Sequence, residues 1–362
     1  MHDYVLIIHP TNEELLHKYE PGMKNKPRPL VKKVLEWMSP FEAGEVEGLK
    51  SNLGRTAKGA LVMCPLLMEQ MVTISPSKVM RSVISAMQFA KNLKPKIIGL
   101  TAYAAFSGNK GLELTEVIGL PLTTGTNYTL AMIPETILRA ADLMEIDLSS
   151  THILLIGATS NVGRYCAEVF SHFVPGMFIT AHNEDKLNML LSELPKEKRN
   201  KLHRSPELKP ILDKVKIVII ATNRIPPEFE IDKLSPGTII FDASYPRRIS
   251  SSMRNDILVI DGVTIKPPGD VDFHFDFGLP KGLCYPCMAE PIILALERKF
   301  ENYSLGKEVN AERIREILRL GAKHGFEISG LTSQEKAISQ DEILKIKHQA
   351  SKKKKRKISF WR

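Results

Sequence analysis

The sequence predicts an α/β protein of two domains, an N-terminal α/β domain followed by a Rossmann-type doubly wound parallel sheet. Three observations carry this expectation. The chain has 362 residues, more than one hydrophobic core usually supports at about 100 to 200 residues per domain. Short β-rich apolar runs alternate with helical patterns along most of its length. At 157–163 an apolar run turns through two glycines into a helical pattern. With 43% apolar and 25% charged residues, the chain has the composition of a globular protein and not of a disordered one.

YVLII (4–8), ALVMC (60–64) and KIIGLTA (96–102) read as strands. SPSKVMRSVISAMQFAKNL (75–93) reads as a helix that puts Val79, Val83, Ile84, Met87 and Ala90 on one face, with Ser75 as its cap. YTLAMIPETILRAADLMEI (128–146) reads as a long connecting helix kinked at Pro134. It closes an N-terminal substrate domain of 1–146.

Five further apolar runs follow: HILLIG, MFITA (177–181), KIVIIAT (216–222), TIIFDAS (238–244) and ILVIDG (257–262). Several are nearly uniform instead of alternating, as strands buried on both faces of a parallel sheet must be. They define a nucleotide-binding domain of 147–285. CMAEPIILALERKF (287–300) and NAERIREILRLGAKHGF (310–326) read as helices, in a segment 286–344 expected to pack back on the cleft.

The formal charge of +9 is concentrated at one end. Nine basic residues and no acidic ones lie in 345–362, which leaves 41 basic against 41 acidic residues in 1–344. A neutral body gives no reason to expect specific nucleic-acid binding. The tail reads as disordered, and SKKKKRKISFWR joins six consecutive cations to Ile358, Phe360 and Trp361. That combination suits peripheral contact with an anionic membrane surface.

Four cysteines, Cys64, Cys166, Cys284 and Cys287, are too few for a disulfide scaffold in a chain this long and fit a reducing compartment. The opening MHDYVLIIHPTNEELL has too short an apolar run for a signal peptide, and no stretch reaches the ~18 apolar residues of a membrane span. A cytoplasmic location is expected. CYPC at 284–287 could be a redox pair, but one pair supplies half a zinc site and lacks the strand context of a thioredoxin-like motif.

IGATSNVG at 156–163 places Gly157, Ser160 and Gly163 at the three positions of a variant phosphate-binding turn. The first must bend tightly, the second must leave room for pyrophosphate, and the third must let helix pack closely on strand. Ser160 meets the second demand less comfortably than glycine would, although its hydroxyl could donate to a phosphate oxygen. Thr159, Asn161 and Val162 complete the turn, and Ala221 and Thr222, closing KIVIIAT, join it as cofactor-binding candidates. Cofactor choice is read about 20 residues on, where a carboxylate would bond the ribose hydroxyl of NAD. The chain there reads Ala181-His182-Asn183, with Lys186 one turn further. Lack of a carboxylate at 181–183 favours NADP, with His182 and Asn183 beside it; Glu184 and Asp185 are expected to cap the next helix.

Seven segments in order resemble the fatty-aldehyde-forming acyl-(acyl carrier protein) reductase family: CPLLMEQM (64–71), TTGTNYT (123–129), IGATSNVG, TAHNEDKL (180–187), FDASYPRR (241–248), CMAEPIILALE (287–297) and AKHGF (322–326). The resemblance implies an N-terminal α/β domain joined to a Rossmann domain and reduction of a fatty acyl thioester by NADPH through a cysteine-bound acyl intermediate. The donor would be acyl carrier protein or acyl-CoA. The family's nucleophile lies in a Cys-x-Ala-Glu segment, which matches Cys287-Met288-Ala289-Glu290. Pro286 and Pro291 are compatible with a helix starting between them, so Cys287 would lie at a helix N-terminus, where unpaired N–H groups favour the thiolate. Thr126, Asn127 and Tyr245 are candidates to line the substrate pocket.

The sequence departs from the family at Ser160, at His182, where an arginine would recognise a 2'-phosphate, and in the added basic tail. A shikimate-type or amino-acid dehydrogenase would share the two-domain plan, but it would carry a lysine where this chain has ALVMCPLLMEQM. A nucleotide-sensing protein without turnover is a further alternative.

Overall fold

Uniformly apolar strands need cover on both faces, and the second set of runs gains it in a six-stranded, all-parallel sheet ordered β11-β10-β9-β6-β7-β8. Its strands are β6 (Ile153–Ile156), β7 (Met177–Thr180), β8 (Leu202–Arg204), β9 (Ile217–Ile220), β10 (Ile239–Asp242) and β11 (Leu258–Ile260). This is the strand order of a doubly wound dinucleotide fold, with its reversal between β6 and β9. All five expected runs are strands. The sixth, β8, went unseen because it spans three residues, two of them exposed.

The computed structural model describes the chain apart from residues 11, 12, 14, 15, 18–20, 245, 246, 248, 250–253, 335 and 360–362. It forms two units, Met1–Ala131 with Thr264–Ser329, and Met132–Val263 with Gly330–Arg362. The boundary expected at 146 therefore falls inside the connecting helix, and 264–285 together with both C-terminal helices belongs to the first unit.

The first unit is built on a sheet ordered β13-β2-β3-β1-β4-β5. Here β1 is His2–Ile8, β2 Phe41–Leu49, β3 Gly59–Met63, β4 Pro95–Leu100, β5 Leu122–Thr123 and β13 Gly269–Asp272. The central strands β3, β1, β4 and β5 run parallel, and β2 and β13 add antiparallel strands at one edge. The pairing of β13 with β2 is what draws 264–285 into this unit. One face is covered by α1 (Pro76–Asn92), which buries Val79, Val83, Ala86, Met87 and Ala90. Ile84 is only partly buried, and Ser75 precedes the helix without a side-chain cap bond. Against β4 and β1 packs α5 (Pro286–Glu297), buried along nearly its whole length, and α6 (Ala311–His324) packs on α5.

Further helices include α2 (Thr126–Leu143), which runs through Pro134, α3 (Asn161–Phe170), α4 (Glu184–Glu193) and α7 (Gln340–Ser359). A third sheet has the order β12-β14-β15, with β12 at Gly262–Lys266, β14 at Glu327–Ser333 and β15 at Lys336–Ala337. The segment from 345, expected as a disordered tail, is helical through Ser359. Lysine is a fair helix former, α7 buries Ile343 and Ala350, and it bonds through the Lys347–Glu145 and Lys353–Asp256 ion pairs. Among the described residues no helix is long and apolar enough to cross a membrane.

Candidate active site and dinucleotide cradle

In the first unit the chemistry gathers at the carboxyl ends of the parallel strands. Pro286 occupies the first position of α5, which puts Cys287 in its first turn. The helix thus begins at Pro286 and not beyond it, and Pro291 lies inside. Pro291 has no N–H to return to the Cys287 carbonyl four residues back. Its ring packs instead against β4, where a Cβ at Gly99 would meet Pro291 Cγ at 2.6 Å.

Cys64, Cys166 and Cys284 are buried, whereas Cys287 is half-buried, and all four are free. The backbone N–H groups of Ala102, Cys287 and Met288 face the Cys287 sulfur and favour its thiolate, but burial outweighs them, with a smaller contribution from nearby Glu290. The thiol is pushed up to about 11. The expected thiolate-favouring helix terminus is therefore present and insufficient: Cys287 rests as a thiol. Burial also raises Cys64 to about 11 and Cys166 to about 12. Placement distinguishes Cys287 from the others, not acidity.

One turn along α5, Glu290 is fully buried and receives four donors. The hydroxyls of Thr123 and Ser304 donate to Oε1, the latter at 2.6 Å, and the N–H of Tyr128 donates to Oε2 at 2.7 Å. Gly125 N–H is the fourth. Burial raises its carboxyl, and the donors oppose the shift. These bonds draw the 123–128 loop onto α5. Gly125 has φ +69°, and a Cβ there would lie 2.3 Å from the Cys287 carbonyl oxygen, so only glycine fits. The loop carries Thr126, whose hydroxyl lies 2.7 Å from that of Thr124, and Asn127, whose N–H donates to Ser304 Oγ at 3.0 Å. Both are thereby brought beside the start of α5, while Tyr245 falls outside the described residues.

Two contributors carried no signal in the sequence. Ala102 follows β4 with φ +47°, a left-handed conformation costing about 1–2 kcal/mol for a residue with a Cβ. It is steadied by His9, whose Nε2 accepts the N–H of Tyr103 at 3.0 Å and whose Nδ1 lies 3.2 Å from Pro10 O. Burial pushes His9 down to about 4, so it is a neutral support for the turn that faces Cys287.

In the second unit the glycine bend meets the demands of a phosphate turn. Gly157 has φ +90°, and a Cβ there would come within 2.9 Å of Ala221 and 2.8 Å of Thr222 at the end of β9. A Cβ at Gly163 would lie 2.2 Å from Gly157 O. Ser160 caps α3, its hydroxyl oxygen accepting the Gly163 N–H at 2.9 Å. The hydroxyl hydrogen stays available to a phosphate. Thr159, Asn161 and Val162 are half-buried around the bend. Asn183, not Glu184 or Asp185, caps α4, accepting the Lys186 N–H at 2.8 Å. Beside the bend a cavity of about 700 Å³ is lined by Gly157, Thr180, His182 and Thr222, and also by Arg204 and Arg224. The two arginines were missed because the first ends the unseen β8 and the second follows β9, away from the position where the cofactor cation is usually sought.

Strand order, reversal point and glycine cradle together define a Rossmann-type α/β protein whose second unit fits a dinucleotide. No family model matches the chain. It is 25% identical over 310 residues to the aminotransferase PigE of Serratia sp., covering 83% of this chain and only 36% of that protein. It is 24% identical over 294 residues to the long-chain acyl-[acyl-carrier-protein] reductase of Synechococcus elongatus, covering 76% of this chain and 84% of that one. Among solved structures, shikimate dehydrogenase from Aquifex aeolicus matches with a TM-score of 0.37 at 14% identity over 88% of this chain and 98% of that one. L-tryptophan dehydrogenase from Nostoc punctiforme matches with a TM-score of 0.40 at 11% identity over 98% and 88%.

Proposed function

We propose that the protein is an NAD(P)-dependent oxidoreductase, and specifically that it reduces a fatty acyl thioester to the aldehyde through an acyl group held on Cys287, with NADP as its cofactor. The observation that carries this reading is Cys287 itself, which is half-buried where the other cysteines are buried and stands in the first turn of α5 with three N–H groups toward its sulfur. The reductase of Synechococcus elongatus, aligned over most of both chains, supports the same chemistry.

In the first half, the Cys287 sulfur forms a bond to the acyl carbon, the bond to the carrier thiol breaks, and the Cys287 proton leaves with that thiol. The carrier is acyl carrier protein or coenzyme A. The N–H groups of Ala102, Cys287 and Met288 hold the negative charge that develops on sulfur during the exchange. Glu290 keeps the 123–128 loop, with Thr126 and Asn127, fixed against the nucleophile. The dinucleotide, when bound, supplies the hydride that reduces the thioester carbon. Breaking the carbon–sulfur bond then releases the aldehyde, and the returning sulfur takes a proton to restore the thiol.

The test is to supply NADPH with long-chain acyl thioesters and measure aldehyde, then repeat with Cys287→Ala. The variant should bind NADPH, trap no acyl group and form no aldehyde. Aldehyde formation by the variant at the normal rate would eliminate the covalent route.

We also propose that the basic end of α7 touches an anionic membrane surface, each cation contributing ~1 kcal/mol there. Deleting residues 351–362 should abolish co-sedimentation with anionic vesicles; unchanged pelleting rules the contact out.

A further inference from the structure

We propose that Arg224, with His182, seats the 2'-phosphate of the dinucleotide, so that the cation selecting NADP over NAD is delivered from the end of β9 and not from the end of β7. This rests on the reading of the second unit as a dinucleotide site, and it names the residues that set cofactor choice there.

In a fold of this strand order the adenosine ribose lies outside the carboxyl end of the second strand, where a carboxylate bonds the 2'-hydroxyl of NAD. That strand is β7, and Ala181 and His182 follow it directly. Neither can accept a ribose hydroxyl as a carboxylate does. Arg224 Nη1 lies 3.2 Å from His182 Nε2, which brings a guanidinium to the place where the ribose substituent would sit. The local chain explains how it reaches there. Arg224 N–H donates to Thr222 Oγ1 at 3.1 Å, a tight turn just past β9 that directs the side chain across the reversal point toward β7. Thr222 is the same residue that packs against Gly157, so the arginine and the phosphate bend share one support.

The charges around the cavity also separate Arg224 from its neighbour. Arg204 is already engaged, donating to Asn188 Oδ1 and lying 3.6 Å from Glu184. Arg224 has no carboxylate partner among the described residues, although Glu184 and Glu228 line the same cavity. A guanidinium held against an imidazole, in a cavity beside a phosphate turn, offers planar N–H donors suited to a phosphate dianion. The arginine expected at position 182 by the family's pattern is thus replaced in space from a different strand.

The experiment titrates the full-length protein with NADPH and, separately, NADH by the change in nicotinamide fluorescence on binding. Competition by 2'-AMP and by 5'-AMP follows, for the wild type and for Arg224→Ala. The wild type should prefer NADPH and be competed better by 2'-AMP. Arg224→Ala should weaken NADPH by about tenfold or more, the loss expected for one charged hydrogen-bond partner, and erase the advantage of 2'-AMP. NADH binding should change by less than about twofold, which excludes general damage to the fold. Arg224 is exposed, and an unchanged thermal melt confirms that the variant folds. An equal loss for NADPH and NADH, or no loss for NADPH, overturns the phosphate seat while leaving the dinucleotide site standing. Binding of neither dinucleotide by the wild type overturns the dinucleotide site, and the seat with it.

Discussion

Tyr128 donates its backbone N–H to the Glu290 carboxylate at 2.7 Å, fastening the first turn of α2 to the second turn of α5 through a fully buried side chain. Burial raises this carboxyl, and its four donors oppose the shift. Glu290→Gln replaces one acceptor oxygen by an NH2 group facing donors. It should cost about 1–3 kcal/mol of stability, read as a lower denaturant midpoint. Because Glu290 also raises the neighbouring thiol, the variant should alkylate faster at Cys287 even though it is less stable. A merely structural role would not produce that second effect.

The raised Cys287 thiol gives a pH dependence of definite sign. With its value near 11, the thiolate fraction rises about tenfold for each pH unit below that point. Alkylation by iodoacetamide, followed by peptide mass analysis, should therefore accelerate about tenfold from pH 7 to 8 and again from 8 to 9. A rate that levels off near pH 7 would show that the helix terminus, and not burial, governs the sulfur.

Ser160 stands as an N-cap, so its substitutions should rank by capping strength. Ser160→Ala removes the acceptor for Gly163 N–H and should cost about 1 kcal/mol, whereas Ser160→Gly should cost only a few tenths. Thermal melts of the apo protein check the order. NADPH affinity of Ser160→Gly should stay level or improve, since a glycine leaves more room for the pyrophosphate.

Gly163 allows no such latitude. A Cβ there would stand 2.2 Å from Gly157 O and 2.8 Å from Ala158 Cα, backbone atoms that cannot swing aside. Gly163→Ala should lose about 1–3 kcal/mol from overpacking and weaken NADPH and NADH alike. That pattern is the opposite of the selective loss expected at Arg224.

What the sequence made legible followed from periodicity and from turn chemistry. The five apolar runs of β6, β7, β9, β10 and β11, several of them nearly uniform, declared a parallel sheet, and Gly157 and Gly163 declared the bend. The prolines at 286 and 291 bracketed the start of α5, which falls at the first of them. What stayed hidden depends on residues distant in the chain. β2 carries Glu42, Glu45 and Glu47 on an antiparallel edge, so it lacks the apolar signature of the central strands. The division into units turns on β13 pairing with β2 across more than 200 residues. Glu290 looks like any helix-surface glutamate until its partners from the 123–128 loop and Ser304 arrive. Arg224 gains meaning only when β9 and β7 are seen flanking β6.

The half-buried Cys287 sulfur is also set apart in its resistance to oxidation. Peroxide attacks thiolates, not thiols, and a half-buried sulfur that rests protonated stays reduced where an exposed low-pKa cysteine would become a sulfenic acid. Such latency makes Cys287 slow toward stray oxidants and, on the proposed route, leaves its activation to the arrival of an acyl donor.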